Sequence, residues 1–430
     1  MATWIAFIRK NKFFIAIGII FLAFLFFRFY QIPERNPFSW DQIDNAWAAK
    51  NILYNHHYPL LGMVAKQNSG FYIGPLYYYA IAPAYFFTNY DPIASGIFAG
   101  LSAIVSFWGI YYVFIRKFGK SVTLIALLIQ TFSTEAIHFD RVQWPVDFIP
   151  LLGLLAFYFL HEIISGKTKH ILSLAIVIGL FWQVHFTAIF VPIITALCLP
   201  LFPRTKEVFK YGILGLLILL IAIAPNIISE LSSKHSQANS LMTYAAQYSH
   251  GFHLKRMLQI IGDVFTQLDN FLPREIRNIN IKYLFFPIFV IYALLQRQNV
   301  RSWRSMVYVM TCFFVVPWVI FTIYSGESSD YYYAINRFLC LALLAYPFAL
   351  LWNQKQIVLK ILPVLIIGYY LYSNVYTFFK WPEHSSLPQM RQEVQQAVQE
   401  NHYINYTVGD PKSYLFFYYK YLQGQKAYDK

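Results

Sequence analysis

Residues 36–54 read NPFSWDQIDNAWAAKNILY and residues 70–87 read GFYIGPLYYYAIAPAYFF. They belong to one hydrophilic and aromatic excursion that follows the first long apolar run, and they carry two carboxylates, Asp41 and Asp44. Ser39, Trp40, Asp41 and Gln42 fit the S-x-x-Q capping box, which predicts a helix starting here and running to about Leu53. Asp41 and Asp44, three residues apart, share one face of it. Ile43, Ala46, Trp47 and Tyr54 make an apolar stripe suited to a helix lying along a membrane surface. Either carboxylate also has a purely structural use, at the positive end of the helix.

Outward from this stretch the chain is mostly lipid-length apolar helix. Of 430 residues, 58% are hydrophobic and 13% charged, too apolar for a soluble globular protein of this size. The aromatic share of 20% fits interfacial belts and close-packed spans. Phe13 to Phe27 follows Arg9, Lys10 and Lys12, and Arg28, Phe29 and Tyr30 stand where a cleavage site would need small residues. It reads as an uncleaved span with a cytoplasmic N-terminus. Further apolar runs lie near 92–115, 121–134, 147–164, 171–186, 188–202, 211–229, 283–296, 305–324, 334–352 and 357–378. The expected fold is an all-α polytopic membrane protein of about eleven transmembrane helices. Amphipathic surface helices are expected in the first external loop, 31–91, and a small α/β-like external appendage at 381–430. The membrane domain would be 1–380, with a long external loop at 230–282.

Charge supports this topology. Six segments (the N-terminus and the turns at 116–120, 165–170, 204–210, 296–304 and 353–360) hold 16 Lys/Arg against Glu162 and Glu207. The rest of the chain carries 18 basic and 18 acidic residues. The whole net charge of +14 therefore falls on one face, as the positive-inside rule requires. The same rule keeps Tyr72 to Phe87 from crossing, because a span there would turn every later basic loop outside. It is expected as a surface or re-entrant helix starting at Gly74-Pro75. No basic cluster with interleaved aromatics points to nucleic acid. Cys198, Cys312 and Cys340 fall inside apolar runs and show neither a disulfide framework nor zinc spacing.

Four more external segments hold chemistry. Residues 134–147, TEAIHFDRVQWPVD, bring Asp140 and Arg141 together, either as a solvated local pair or as part of a site. His185 follows Trp182 and Gln183 where two apolar runs meet; it is a hydrogen-bonded structural residue or a substrate contact. The 230–282 loop is rich in Lys, Arg and His, but His250 and His253 make a weak metal site, and headgroup or acceptor contact fits better. In SGESSDYYYAINRFL, Arg337 stands one turn inside the next span, a costly place unless it meets Asp330 or an anionic ligand such as a lipid phosphate. After Phe378 come helix-like runs at Pro388–Asn401 and Ser413–Leu422, a β-like run at Tyr403–Val408, and an Asn405-Tyr406-Thr407 sequon.

The pattern W-D-Q-x-x-x-A-x-x-A-x-x-I-L followed by G-P-L-Y-Y-Y resembles the first external loop of the GT-C membrane glycosyltransferases. The likeness is to the branch of protein O-mannosyltransferases and lipid A aminoarabinose transferases. The resemblance implies that Asp41 is the catalytic carboxylate, with Tyr77 and Tyr78 on the substrate side. Gln42 stands where many members have Glu, so a second carboxylate would have to be Asp44. Asp140 answers to the family's second acidic loop, Arg141 before Trp144-Pro145 to a variant of its R-x-x-W-x-P, and Gln183-x-His185-x-Thr187 to a segment of bacterial members.

Carboxylates outside the membrane, with cations held at headgroup depth, suit sugar transfer from a lipid phosphate. The donor would be a polyprenyl-phosphate sugar drawn from the membrane lipids of the plasma membrane, and the acceptor a protein, lipid or glycan. A carboxylate would deprotonate the acceptor hydroxyl while Arg337 or another loop cation holds the phosphate. The resemblance implies inversion by direct displacement. No nucleotide fingerprint is present, and lipid-phosphate donors require no cofactor or metal. A transporter or flippase of lipid-linked sugar, a glycan polymerase or ligase, and a non-catalytic scaffold are the alternatives. Transport would place charges mid-span, whereas here the acidic residues fall almost wholly in loops.

Overall fold

The computed structural model describes all residues except 1, 67–68, 233–235, 250, 277–281, 296–299, 327, 383, 401–408 and 426–430. The β-like run at Tyr403–Val408, the sequon and His250 lie outside the described residues.

Seven helices are long and apolar enough to cross a bilayer: Asn11–Phe29, Ile93–Lys117, Pro145–Ile164, Lys206–Ser232, Ser302–Ile323, Asp330–Trp352 and Ile357–Lys380. Gly119–Phe132 and Thr134–Arg141 make an eighth only when taken together, and they are bent by 70°. Ser133 causes the break: its hydroxyl caps the second helix by accepting from the Ala136 N–H at 3.1 Å. The count expected from the sequence was about eleven. The other three apolar runs fold as His170–Trp182, Phe190–Cys198 with flanking 3-10 turns, and Lys282–Leu295. At about 1.5 Å per residue a 13-residue helix reaches roughly 20 Å, short of a core about 30 Å thick.

The first short pair stops because Gln183 and His185 interrupt the apolar run. Gln183 Nε2 donates to Ala222 O at 2.5 Å, and its Oε1 accepts from the Leu76 N–H at 3.2 Å. The turn is thereby the seat on which the first loop rests. Gly74 permits the contact, since a Cβ there would stand 1.9 Å from Gln183 Oε1. Gly153 has the same role deeper down: a Cβ would meet Ile335 O at 2.2 Å, where Pro145–Ile164 packs on the 3-10 segment Asp330–Asn336.

Two large apolar cores result, with a small cluster of Phe27, Ile137 and Phe378 besides. One lies among the spans. The other, outside them, unites the first loop with the C-terminal helices. Asp41–Leu53 and Leu76–Phe87 pack together, and Leu387–Gln399 with Pro411–Leu422 covers them. Both first-loop helices fall where the sequence places them, the second too short to cross. Trp47 meets Tyr414 and Phe417 edge-on at ring distances of 5.3 and 5.8 Å. Arg391 and the Tyr418 hydroxyl both bind the Asp91 carboxylate. The appendage therefore shares its core with the helix that bears Asp41.

Candidate functional site

Asp41 begins its helix at the rim of a cavity of about 460 Å³, which is within the usual range for small-molecule sites. The capping box is half formed. Gln42 Oε1 accepts from the Ser39 N–H at 3.2 Å, but the Ser39 hydroxyl does not cap the helix. Trp40, the residue between, has φ 40° and ψ −108° and is 87% exposed at the cavity mouth. A bulky residue at positive φ stores backbone strain, which clusters at functional sites.

The cavity lies where three loops meet. The turn carrying Trp144-Pro145 forms one wall, His185 of the short-helix turn another, and Tyr331 with Tyr332 a third. Lys66 enters from a narrow turn closed by a Val64–Tyr72 bridge. Its ammonium donates to the Tyr332 hydroxyl at 3.0 Å and lies 5.4 Å from that ring's centroid. His185 Nδ1 lies 2.9 Å from the Thr187 hydroxyl and 3.3 Å from the Thr187 N–H, which fixes the orientation of the ring. The cavity thus combines one carboxylate and one ammonium with aromatic walls.

Burial, reinforced by the like charge of Asp44, pushes the Asp41 carboxyl up to about 6. Burial also raises Asp44, but Tyr78 opposes it by donating to Asp44 Oδ2 at 2.6 Å. The two carboxylates are thereby set apart: Asp44 is held by a phenol and Asp41 opens on the cavity. No group of three or more metal-ligating side chains converges among the described residues.

The remaining residues singled out in the sequence take up other positions. Asp140 pairs with Arg28 at 2.6 Å in a buried site, where Gln130 Nε2 also donates to it at 2.9 Å. Arg141 is bound to backbone and to one side-chain amide: it donates to Phe27 O and Tyr30 O at 2.9 Å each and to Asn36 Oδ1 at 2.7 Å. Tyr77 accepts from Gln143 Nε2 at 2.8 Å and ties the first loop to the Trp144 turn. Arg337 is 1% exposed, between the rings of Phe139 at 4.1 Å and Phe271 at 5.2 Å. Its Nη1 donates to Gln267 Oε1 at 3.2 Å, while Nε and Nη2 have no hydrogen-bond partner among the described residues. Phe139 in turn packs on Trp144, so one aromatic ring stands between Arg337 and the cavity wall.

Sequence reasoning missed Lys66 and the two tyrosines, Tyr331 and Tyr332. A signal for Lys66 existed: it is an isolated cation in an external loop of a chain that concentrates its positive charge on the other face.

No family model matches the chain, and no curated protein matches it in sequence. Solved structures do match. ArnT from Cupriavidus metallidurans bound to undecaprenyl phosphate aligns with a TM-score of 0.56 at 10% identity, over 95% of this chain and 76% of that one. The oligosaccharyltransferase of Archaeoglobus fulgidus, tethered to an acceptor peptide with an NVT sequon, gives 0.52 at 10% identity over 94% of this chain. The archaeal enzyme, AglB, in complex with an inhibitory peptide and a dolichol-phosphate gives 0.52 at 9% identity. This chain spans about 60% of the oligosaccharyltransferase's length. Identities this low establish architecture, and the chain has the fold of ArnT and AglB, the GT-C fold.

Proposed function

We propose that the chain is a membrane glycosyltransferase that moves a sugar from a polyprenyl-phosphate carrier to an acceptor hydroxyl at the outer face of the plasma membrane. The observation that carries this reading is a carboxylate raised to about 6 on the same cavity as the Lys66–Tyr332 pair. A base near neutral pKa and a cation for a leaving phosphate are the two groups that such a transfer needs. The fold adds support, because ArnT binds undecaprenyl phosphate and AglB dolichol-phosphate.

In this mechanism Asp41 accepts the proton of the acceptor hydroxyl. That oxygen attacks the anomeric carbon, the bond to the lipid phosphate breaks, and configuration inverts in a single displacement. The phosphate leaves with the bond electrons and is met by the Lys66 ammonium and the Tyr332 hydroxyl. Arg337 lends positive charge from behind Phe139, and its two unpaired nitrogens would bind a phosphate oxygen directly if that ring turned aside. Asp44 raises the basicity of Asp41 by charge repulsion. His185, oriented by Thr187, offers its Nε2 to hydrogen-bond a sugar hydroxyl. Lipid enters laterally from the bilayer, the N-terminus is cytoplasmic and the C-terminal helices are outside, in keeping with the one-sided charge.

Reconstitution tests the proposal: the purified chain in nanodiscs is given polyprenyl-phosphate sugars, and glycolipids and glycoproteins of cells with and without it are compared by mass spectrometry. Sugar loss from the carrier and a missing glycoconjugate are expected. An intact donor together with an unchanged glycoconjugate profile would refute it.

A further inference from the structure

The turn that leads into Asp41–Leu53 is closed by the Gln42 N–H, which donates to Ser39 O at 2.9 Å. Trp40 is the first of its two central residues. Its φ of 40° and ψ of −108° approach those of a type II′ turn, where glycine is the ordinary choice. Any Cβ is strained in that conformation, and here the chain carries the bulkiest side chain of all.

The Trp40 ring does little for the fold. Among the described residues it makes no ring contact and no side-chain hydrogen bond, and it is 87% exposed. Trp47, two turns further on, shows what a packed tryptophan does in the same helix, lying edge-on against Tyr414 and Phe417 in the outer core. Trp40 instead stands outside the spans and lines the cavity that holds Asp41. A strained backbone kept beneath an exposed ring at a cavity mouth points to a ligand for that ring. Other walls of the cavity are also aromatic: Trp144 and Tyr331 meet edge-on at a ring distance of 5.2 Å, and Tyr332 stands with them. Such a slot suits a pyranose, which has a face of C–H bonds to lay on a ring and a rim of hydroxyls. The ring face is electron-rich and the C–H groups are weakly positive, so the contact is electrostatic as well as hydrophobic. A peptide serine or threonine offers no such face. Trp40 and Asp41 are adjacent and line one cavity, so a sugar stacked on the indole is held beside the carboxylate.

We propose that Trp40 is the platform on which the acceptor stacks, and that the acceptor is a pyranose-bearing glycan or glycolipid. The acceptor role rests on the proposed transfer reaction, whereas the stacking is measured without turnover, so the two can fail separately.

Saturation-transfer difference NMR of the full chain in nanodiscs tests it, with methyl β-glucoside, methyl β-galactoside and methyl α-mannoside as probes. Irradiating the aromatic protons should pass saturation to the C–H groups of one pyranose face. Trp40→Ala should weaken the apparent affinity about tenfold, and Trp40→Phe by less, because part of the ring face is kept. Trp40→Gly should lose binding as Trp40→Ala does, while its thermal unfolding temperature stays at or above that of the unmodified chain, since glycine relieves the turn. The donor's own sugar is the other source of a pyranose. Polyprenyl-phosphate sugar is therefore added to Asp41→Asn, which is expected to hold both substrates without transfer. Glycoside that stays bound occupies the acceptor position; displacement would overturn the acceptor role and give the ring to the donor's sugar. Absence of saturation with all three probes in the unmodified chain would overturn the proposal. Equal saturation in a folded Trp40→Ala would do the same and leave Trp40 as an anchor in the bilayer interface. A lower unfolding temperature for Trp40→Gly would make the ring structural and also overturn it.

Discussion

Replacing Asp41 by Asn keeps the size of the side chain and removes its ability to take a proton. The residue is outside the spans and, among its described contacts, bonds no other element of the fold, so insertion and folding should be unaffected. Loss of a general base costs roughly 10²–10⁴ in rate, equivalent to about 3–5.5 kcal/mol of barrier. The raised pKa adds a second, independent signature. A base works only when deprotonated, so a carboxyl titrating near 6 makes the rate rise as pH increases through 6. Such a group is about 9% ionised at pH 5 and about 91% at pH 7, a tenfold rise, whereas an unperturbed Asp near 4 would already be ionised at pH 5. Asp44→Asn removes the like charge that helps to lift Asp41, so its acid limb should move to lower pH with a milder rate loss. Initial rates of sugar transfer in nanodiscs, at saturating donor across the acid limb, measure all three. Wild-type rates from a folded Asp41→Asn, or an unmoved limb near pH 6 in it, would refute the assignment.

Lys66→Gln should raise the KM for donor by roughly ten- to a hundredfold without unfolding the chain, since a charge-assisted contact to phosphate is lost; steady-state kinetics with a truncated water-soluble donor reads this. Gln42→Glu should lower stability by about 1–3 kcal/mol, because Gln42 Nε2 donates to Gln143 O at 2.7 Å and a carboxylate there would face a carbonyl; thermal unfolding in detergent measures it. Cysteines placed at the exposed positions Ser386 and Ser165 should label from outside and only after permeabilisation, respectively; labelling of Ser165→Cys alone in sealed cells would reverse the topology.

How far the sequence was legible follows from what each signal measures. Periodicity and the capping pattern located Asp41–Leu53 and Leu76–Phe87, because both are set by local chemistry within the first loop. Hydropathy found every apolar run but could not tell a span from a half-length helix, since His170–Trp182 is as apolar as a true span and differs in where polar residues end it. Asp140 and Arg141 looked alike as site residues, and the distinction between them and Asp41 is tertiary. Their partners, Arg28, Phe27 O and Tyr30 O, are more than a hundred residues away. Lys66 and Tyr332 are 266 residues apart, so no spacing rule could join them.

Position 42 shows why the departure from an adjacent acidic pair is coherent in this chain. Neighbouring residues on a helix point about 100° apart, so residues 41 and 42 cannot both face one cavity squarely. Asp41 takes the cavity, and residue 42 is turned toward the second loop, where it must donate to Gln143 O. An amide can do this while its oxygen accepts from Ser39; an ionised carboxylate cannot. The next acidic residue, Asp44, returns to the Asp41 face one turn later, close enough to raise its basicity. It is itself held by Tyr78 and is less free to receive a substrate proton. In the proposed mechanism the division of labour would follow from helix geometry: Gln42 joins the loops, Asp44 would tune, and Asp41 would be the carboxylate left to act.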